Sequence, residues 1–405
     1  MRRHEPARAA RESPSSDEIA TRIRAAALEL GFVEAGFTSL GPYREAREAL
    51  MRWVEAEYAG TMDYLRNPER ADPKRLFPDA LTLVSLALPY PGSGIAALRK
   101  KGERLGLVAR YARGDDYHHV LRNKLWKLAD ACAEFVGRPV VSRACVDSAP
   151  LLEHEAARRA GIGFTGKSTL TIVPGAGTFV FLGELLLDVD IAPSLPIGRG
   201  CGSCTLCLEA CPTRAFVGPY VLDARRCIAY LTIENRGQVP RELRAAIGNR
   251  MFGCDVCQDV CPYNATAQAP APPPELEARP GLDAADAVEW LALGAAQYRK
   301  LTKRSALGRA TREQLARNAA VVLGNLAEPA SLAPLEQAAL GHSSAIVRGH
   351  AAWALGRLAA KSPGTVDVPR VTATLERLTE DTSPFVRDEA RAALGSLCCS
   401  DDLSG

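Results

Sequence analysis

Nowhere does the 405-residue sequence contain an apolar run approaching the roughly 18 residues that a membrane-crossing helix requires. No apolar stretch follows the N-terminal arginines (MRRHEPARAARESPSSDE), so neither a Sec nor a twin-arginine signal is expected. A large charge of one sign is also missing. With 50 Lys and Arg against 47 Asp and Glu, the formal net charge is only +3. Any polyanion partner must be met by a local patch rather than by the field of the whole molecule. These absences predict a cytoplasmic chain with no membrane association. Thiols stay reduced in that compartment, so the 12 cysteines are expected to ligate metal rather than pair as disulfides.

Eight of those cysteines lie in one segment. Cys201-x2-Cys204-x2-Cys207-x3-Cys211-Pro212 is the full bacterial ferredoxin run, and Cys254-x2-Cys257-x3-Cys261-Pro262 repeats it without the first cysteine. A cubane needs thiolates at four iron corners. Three closely spaced cysteines wrap three corners, and the cysteine before the proline crosses to the neighbouring cluster. That rule assigns Cys201, Cys204, Cys207 and Cys261 to one [4Fe–4S] cluster. It gives Cys254, Cys257 and Cys211 to a second, whose fourth ligand is the remaining nearby cysteine, Cys227. Cys-x2-Cys pairs also build zinc sites, but zinc accounts for neither the double x2 run nor the Cys-Pro endings. Cys132, Cys145, Cys398 and Cys399 have no such spacing and read as buried small side chains or incidental thiols. Two clusters make an electron relay, and a relay needs a redox centre to serve.

Residues 1–14 read as a disordered basic tail. From 15 to 190, strands and helices alternate as in an α/β sandwich. The pattern predicts helices capped at Ser16 and running to Leu30, from Tyr43 to Tyr58, from Tyr117 to Val136 and from Pro150 to Ala160. Strands are expected at Leu81–Leu88, Leu107–Ala112, Val140–Val146, Thr169–Val173 and Thr178–Leu187, the last two forming a hairpin. Residues 191–268 hold the cysteines in a ferredoxin-like domain, and 269–280 (APAPPPELEARP) form a stiff proline-rich linker. From 281 to 405 the pattern is helical throughout. RNAAVVLGN (317–325), RGHAAWALGR (348–357) and RDEARAALGS (387–396) repeat one phrase, with glycines 32 and 39 residues apart. That spacing marks HEAT-like helical repeats.

Two features of the α/β region invite a chemical reading. Gly161-x4-Gly166-Lys167-Ser168 matches the P-loop pattern, but a helix precedes it and a strand follows, the reverse of what phosphate binding at a helix N-terminus needs. Asp147 closes a strand just before a helix, where ligands meet side chains in α/β folds. An aspartate there is also an ordinary N-cap, and pattern alone favours the cap.

Taken in order, MDYLRNPERADP (62–73), ARYARGDDYH (109–118) and VDSAPLLEHEAARRAGIGFTGKSTL (146–170) resemble epoxyqueuosine reductases. FLGELLLD (181–188), the two cysteine runs, CIAYLTIE (227–234) and the HEAT-like tail extend the resemblance from about Asp17 to Leu397. It implies reduction of epoxyqueuosine in the anticodon loop of tRNA to queuosine, with two [4Fe–4S] clusters relaying electrons to cobalamin. It further implies that Asp147 is the proton donor for the departing epoxide oxygen; burial beside the apolar corrinoid face is then expected to raise its pKa. Arg70, Tyr111, Asp147, Lys167, Ser168, Thr171 and Asp255 are implied to line the corrinoid. Asp116-Tyr-His118-His-Val-Leu121 ends in leucine, so the Asp-x-His-x-x-Gly motif for histidine ligation of cobalt is absent. Ala229 and Phe164-Thr165 depart from the family pattern, where serine and Trp-Ile are common. The alternatives are another corrinoid iron–sulfur reductase of the reductive dehalogenase kind, or an iron–sulfur electron carrier. The chain is expected to be a monomer served by an unidentified electron donor. Residues 300–317, with Lys300, Lys303, Arg304, Arg309, Arg312 and Arg317 against Glu313, are expected to face tRNA, Lys303 and Arg304 foremost.

Overall fold

The structure, a computed structural model, describes residues 1–5, 14–92 and 104–401, with side chains given as far as residue 397. The described residues form two compact units, each threaded from three segments. Residues 1–92, 114–225 and 255–277 build the first; 93–113, 226–254 and 278–405 build the second.

The first unit is organised by a five-stranded sheet. Its strands, in spatial order, are Arg2–His4, Val140–Cys145, Val180–Leu187, Thr82–Pro89 and Glu34–Thr38, and every neighbouring pair is antiparallel. All eight residues of Thr82–Pro89 are buried, as an uninterrupted apolar strand requires when both sheet faces are covered. Successive side chains point to opposite faces. Gly183 accordingly lies under Leu121 and Leu125 of the helix Tyr117–Val136, whereas Leu186 packs with Ala156 of the helix Glu153–Arg159. Tyr117–Val136 buries Val120, Leu121, Leu125, Leu128, Ala129 and Cys132, the three-and-four spacing of one helix face. It starts at the cap Asp116 and stops at Gly137, whose φ of 70° suits glycine.

Several expectations need correction. Arg2–His4 is not a disordered tail but an edge strand on Val140–Ser142. The open sheet edge offers unpaired backbone groups, and the buried His4 ring bonds Asp130 at 2.6 Å and Ser142 at 2.9 Å. Residues 6–13 of that expected tail lie outside the described residues. The strand Glu34–Thr38 was hidden in the sequence by its glutamate and glycine. Gly36 is needed because a Cβ there would strike the Ala160 carbonyl oxygen at 2.0 Å. Thr171–Ile172 pairs with Phe164–Thr165 instead of running on as a hairpin with Val180–Leu187, and Val173 and Gly177 form only an isolated bridge. Proline-rich residues 274–276 are not a free spacer. Leu276 is buried, and the Asp115 amide donates to the Glu275 carbonyl at 2.8 Å.

The second unit holds Leu105–Val108, which leaves the expected α/β domain to pair with Arg250–Phe252 in parallel and with Ala285–Asp286 antiparallel. Its predicted continuation, Arg110–Ala112, is a 3-10 turn instead, closed by Arg113, whose Nε reaches back to the Val108 carbonyl at 2.8 Å. The helices Arg312–Leu326, Leu332–Gly341, Ala345–Lys361, Val368–Leu378 and Pro384–Asp401 then stack in sequence. The repeated glycines explain the stacking distance. A Cβ on Gly324 would meet Ala354 Cα at 2.8 Å, and one on Gly356 would meet Ala393 Cβ at 2.7 Å. Gly395, in the last helix, faces nothing within 4 Å, since no further repeat follows among the described residues. A buried bidentate pair, Arg244 with Glu389 at 2.8 Å on both oxygens, clamps the helix Arg241–Ile247 to the last repeat.

Candidate active site and cluster cysteines

In the first unit, Cys207 lies in the short helix Leu206–Ala210, which packs on Val256–Asp259, the helix carrying Cys257. The thiols of Cys201, Cys204, Cys207 and Cys261 are neighbours. Burial, then the charge of Cys201, Cys204 and Cys261, pushes the Cys207 thiol above the usual range, and Cys261 is raised by burial and by Cys201 and Cys204. Such mutual repulsion among thiolates is what a bound cation relieves. Backbone amides already point at sulfur: Lys167 N–H to Cys201 Sγ at 3.4 Å, and Ala215 N–H to Cys211 Sγ at 3.3 Å. Among the described residues no three His, Cys, Asp or Glu side chains converge as ligands of a single metal ion would. Asn264 ties this cysteine segment to the sheet, donating to Thr178 Oγ1 at 2.8 Å and accepting from the Thr178 amide at 2.7 Å.

Cys227 and Cys254 belong to the second unit. Cys227 caps the helix Ile228–Ile233, and Cys254 follows the strand Arg250–Phe252. The Gly253 amide donates to Thr232 Oγ1 at 2.9 Å, so helix and strand are tied beside both cysteines. Cys132 and Cys145 are buried, and burial pushes both thiols up to about 12, as inert core thiols require. The side chains of Cys398 and Cys399 fall outside those described.

The glycine-rich sequence that mimics a P-loop lies beside the first cysteine run. Lys167 donates through its amide to Cys201 and through Nζ to the Gly202 carbonyl at 2.7 Å. It is thus engaged with the cysteine loop, and the helix that a P-loop needs after it is replaced by the Thr171–Ile172 strand.

Asp147 is not the N-cap that pattern favoured. The helix begins at Glu153, and its capping position is Leu152. Asp147 instead sits at φ 45°, a left-handed backbone uncommon for a residue with a Cβ, which marks a site where local strain is retained. Its Oδ2 accepts from Tyr117 Oη at 2.6 Å and lies 3.1 Å from His118 Nε2. The other ring nitrogen, His118 Nδ1, is 2.7 Å from Asp116 Oδ1, and Asp116 also accepts the His118 amide at 3.0 Å. Burial opposes charge on this imidazole. The hydrogen bonds and charges of Asp116 and Asp147 outweigh it and push His118 up to about 9. From the protein side, the Asp147 amide donates to Glu153 Oε1. Burial, then the charge of Asp147, pushes Glu153 up to about 8, and burial together with Glu153 raises Glu184 well above the carboxylate range.

The Asp147 side chain is 42% exposed, and its two neighbours from the helix are donors. Glu184 is wholly buried and Glu153 half-buried; the sequence reading passed over both, along with the roles of Tyr117 and His118. The signal was present as Asp116-x-His118 at a helix start, set aside because the following glycine of the cobalt-binding motif is missing.

Most of the other expected residues also belong to the first unit. Arg70 Nη2 donates to the Ala149 carbonyl at 3.4 Å, while its buried Nε has no hydrogen-bond partner among the described residues. Thr171 Oγ1 is 2.8 Å from His154 Nδ1, and Ser168 is buried in the adjoining loop. Asp255 opens the Val256–Asp259 helix. A buried guanidinium N–H without an acceptor suits a ligand rich in amide and phosphate oxygens such as cobalamin. Tyr111 belongs to the second unit, its ring 6.3 Å from that of Phe252.

In the second unit, Lys300, Lys303, Arg304 and Arg309 are exposed. Arg279 donates to the Lys303 carbonyl at 2.9 Å and to the Arg304 carbonyl, which fixes the turn that presents them. A cleft of about 760 Å³ lined by Arg279, Trp290, Leu293, Gln297 and Lys300 shares this surface. Arg317 does not. It is wholly buried, donating to the carbonyls of Leu231, Asn235 and Gly237, so its charge cannot face a phosphate.

Similarity to known proteins extends along most of the chain. Residues 200–264 match a 4Fe-4S double cluster binding domain, 70–148 match the family model "Epoxyqueuosine reductase QueG, DUF1730", and 304–401 match HEAT repeats. The epoxyqueuosine reductase of Pseudomonas aeruginosa is 42% identical over 351 residues, covering 85% of this chain and 96% of the relative. That of Escherichia coli is 40% identical over 349 residues, covering 84% and 90%. An epoxyqueuosine reductase crystallised with an epoxyqueuosine-modified tRNA-Tyr stem loop superposes with a TM-score of 0.85 at 30% identity, covering 95% of this chain and all of that one. The Bacillus subtilis enzyme, captured with its catalytic aspartate loop swung out of the active site, gives 0.84 at 30% identity, covering 94% and 100%. With the relatives matched along nearly their full length, the chain belongs to the epoxyqueuosine reductase family.

Proposed function

We propose that this chain reduces epoxyqueuosine to queuosine in the anticodon loop of tRNA. The observation that carries the reading is the placement of Asp147, on a strained turn between donors and the Glu153 carboxyl, in a chain 85% of which matches an epoxyqueuosine reductase. Opening an epoxide leaves an alkoxide, a poor leaving group until it is protonated. In this reading Asp147 delivers that proton, and its partly exposed side chain supports it by leaving the carboxyl open to a ligand.

The ligand sets follow from the cysteine spacing: Cys201, Cys204, Cys207 and Cys261 for one [4Fe–4S] cluster, and Cys211, Cys227, Cys254 and Cys257 for the other. Arg70, Lys167, Ser168, Thr171 and Asp255, with Tyr111, would hold cobalamin, the unsatisfied Arg70 Nε being the feature that supports it. Bound, these groups supply the two electrons of the reduction. The protein's own part is to hold the substrate, set the turn bearing Asp147 and manage protons. Lys303 and Arg304 are the phosphate-facing residues of this reading. The functional division is 15–190 for catalysis, 191–268 for the clusters, 269–280 as connector and 281–405 for RNA contact. Among the described residues no helix is long and apolar enough to cross a membrane, which is compatible with a cytoplasmic monomer served by a separate electron donor.

The test is conversion of an epoxyqueuosine-bearing tRNA stem loop by the anaerobically reconstituted chain, read by mass spectrometry of the released nucleoside. Loss of one oxygen is the expected result. Absence of conversion with both clusters and cobalamin loaded, and a competent reductant present, would refute the assignment.

A further inference from the structure

Reduction of an epoxide to an alkene breaks both carbon–oxygen bonds and releases the oxygen as water. Two electrons and two protons enter for each turnover, yet a carboxylic acid carries only one proton. The first proton can come from Asp147; the second needs a source within reach of the same carboxylate.

We propose that His118, held by Asp116, recharges Asp147 with the second proton. This rests on the reading of Asp147 as the acid. The geometry is an unbroken line: Asp116 Oδ1 to His118 Nδ1 at 2.7 Å, and His118 Nε2 to Asp147 Oδ2 at 3.1 Å. When Asp147 has given its proton to the first-formed alkoxide, the Nε2 proton of His118 passes to Oδ2, and Asp147 delivers it as the oxygen leaves. The imidazole is then neutral with its remaining proton on Nδ1, the tautomer that Asp116 stabilises, and solvent returns two protons, one to Asp147 and one to Nε2, before the next turnover. Both protons and both electrons are accounted for, the electrons being those the reduction already requires. His118 therefore acts through Asp147 as a positioning and recharging residue.

The surroundings favour this assignment over a purely structural one. Asp116 and Asp147 face the ring from either side, Glu153 lies beyond Asp147, His119 lies near Asp116, and the Tyr117 ring stacks on His118 at 4.1 Å. Asp116 favours the charged imidazole from the side away from Asp147, whether or not Asp147 holds its proton. Tyr117 Oη, at 2.6 Å from the same oxygen, fixes the Asp147 rotamer while the proton moves.

The experiment uses the full chain loaded with both clusters and cobalamin, acting on an epoxyqueuosine stem loop. His118→Gln retains a donor amide but cannot relay a proton. It should lower kcat about 10- to 100-fold with KM within about twofold, and move the alkaline limb of the kcat profile to lower pH. Asp116→Asn still caps the helix but removes the charge behind the imidazole. It should shift the same limb in the same direction and lower the His118 midpoint in ¹⁵N-histidine NMR, where only 6 histidines compete for assignment. Added imidazole should partly restore His118→Ala, in proportion to the imidazolium present. Unchanged kcat and pH profile in His118→Gln would overturn the proposal, as would a His118→Ala variant that imidazole cannot restore. If neither His118 variant folds, an unmoved limb in Asp116→Asn overturns it alone. Full activity in Asp147→Asn would instead sink the underlying acid assignment, so the two failures are told apart.

Discussion

Replacing Asp147 by asparagine keeps the size of the side chain and removes its capacity to give a proton. If Asp147 is the acid, the loss should be that of a general acid, about 10²–10⁴-fold in kcat, or about 3–5 kcal/mol of barrier. The structural cost can be set beside it. Asparagine Oδ1 can still accept from Tyr117 Oη, so what is lost is chiefly the charged character of the bond to His118. Such a bond is worth roughly 1 kcal/mol more than a neutral one, and less here because the Asp147 side chain is 42% exposed. Folding and chemistry should therefore separate. The variant should keep both clusters and bind cobalamin, with a melting temperature within a few degrees of the parent, while stem-loop conversion collapses. The assays are iron and cobalt content, thermal denaturation, and single-turnover conversion followed by mass spectrometry. Unfolding or cofactor loss in the variant would make Asp147 structural, and near-normal turnover would place the proton elsewhere. The pH dependence of stability adds a check. His118 is raised from 6.5 to about 9, so its stabilising contribution is complete below pH 6.5 and fades as pH rises through 9. Denaturant unfolding of the parent should lose stability across that window, and the loss should shrink in Asp147→Asn.

Cys211→Ala should deplete the cluster assigned to Cys254 and Cys257, although Cys211 sits in the first cysteine run; iron analysis and EPR showing loss only of the cluster of Cys201, Cys204 and Cys207 would contradict the crossed ligation. Exchanging Lys303 and Arg304 together for alanine should weaken tRNA binding and reduce the salt slope by about 0.7–0.9 for each phosphate no longer neutralised, measured by titration at several salt concentrations; an unchanged slope returns the patch to an ordinary solvated surface. Glu389→Ala leaves the buried Arg244 guanidinium without its bidentate partner and should destabilise the repeat unit by about 3–5 kcal/mol in denaturant unfolding, whereas a cost under about 1 kcal/mol would mean that solvent reaches Arg244.

The cysteine spacing determined the chemistry on its own. Cluster ligation is local, since three thiolates must come from one tight turn, and so the double run is legible without a fold. Helix limits were legible for a similar reason. Asp116 and Gly137 bracket Tyr117–Val136 through caps that act within a single turn. The helical repeats were visible through their recurring glycines, but only packing explains those glycines: each of the first two sits where the next helix's alanine backbone approaches. Edge pairing was invisible. Arg2–His4 is too short for any periodicity, and its place is set by an open strand nearly 140 residues away in sequence. The same holds for Leu105–Val108, whose partners come from 250–252 and 285–286. Charge alone misjudged Arg317, because a run of basic residues does not say which guanidinium will be turned inward to satisfy backbone carbonyls. Pattern misjudged Asp147 as an N-cap. Whether a carboxylate caps a helix or faces side-chain donors depends on which groups packing brings to it. Those donors, Tyr117 and His118, come from a helix some thirty residues earlier in the chain, brought to the strand end by packing on the sheet.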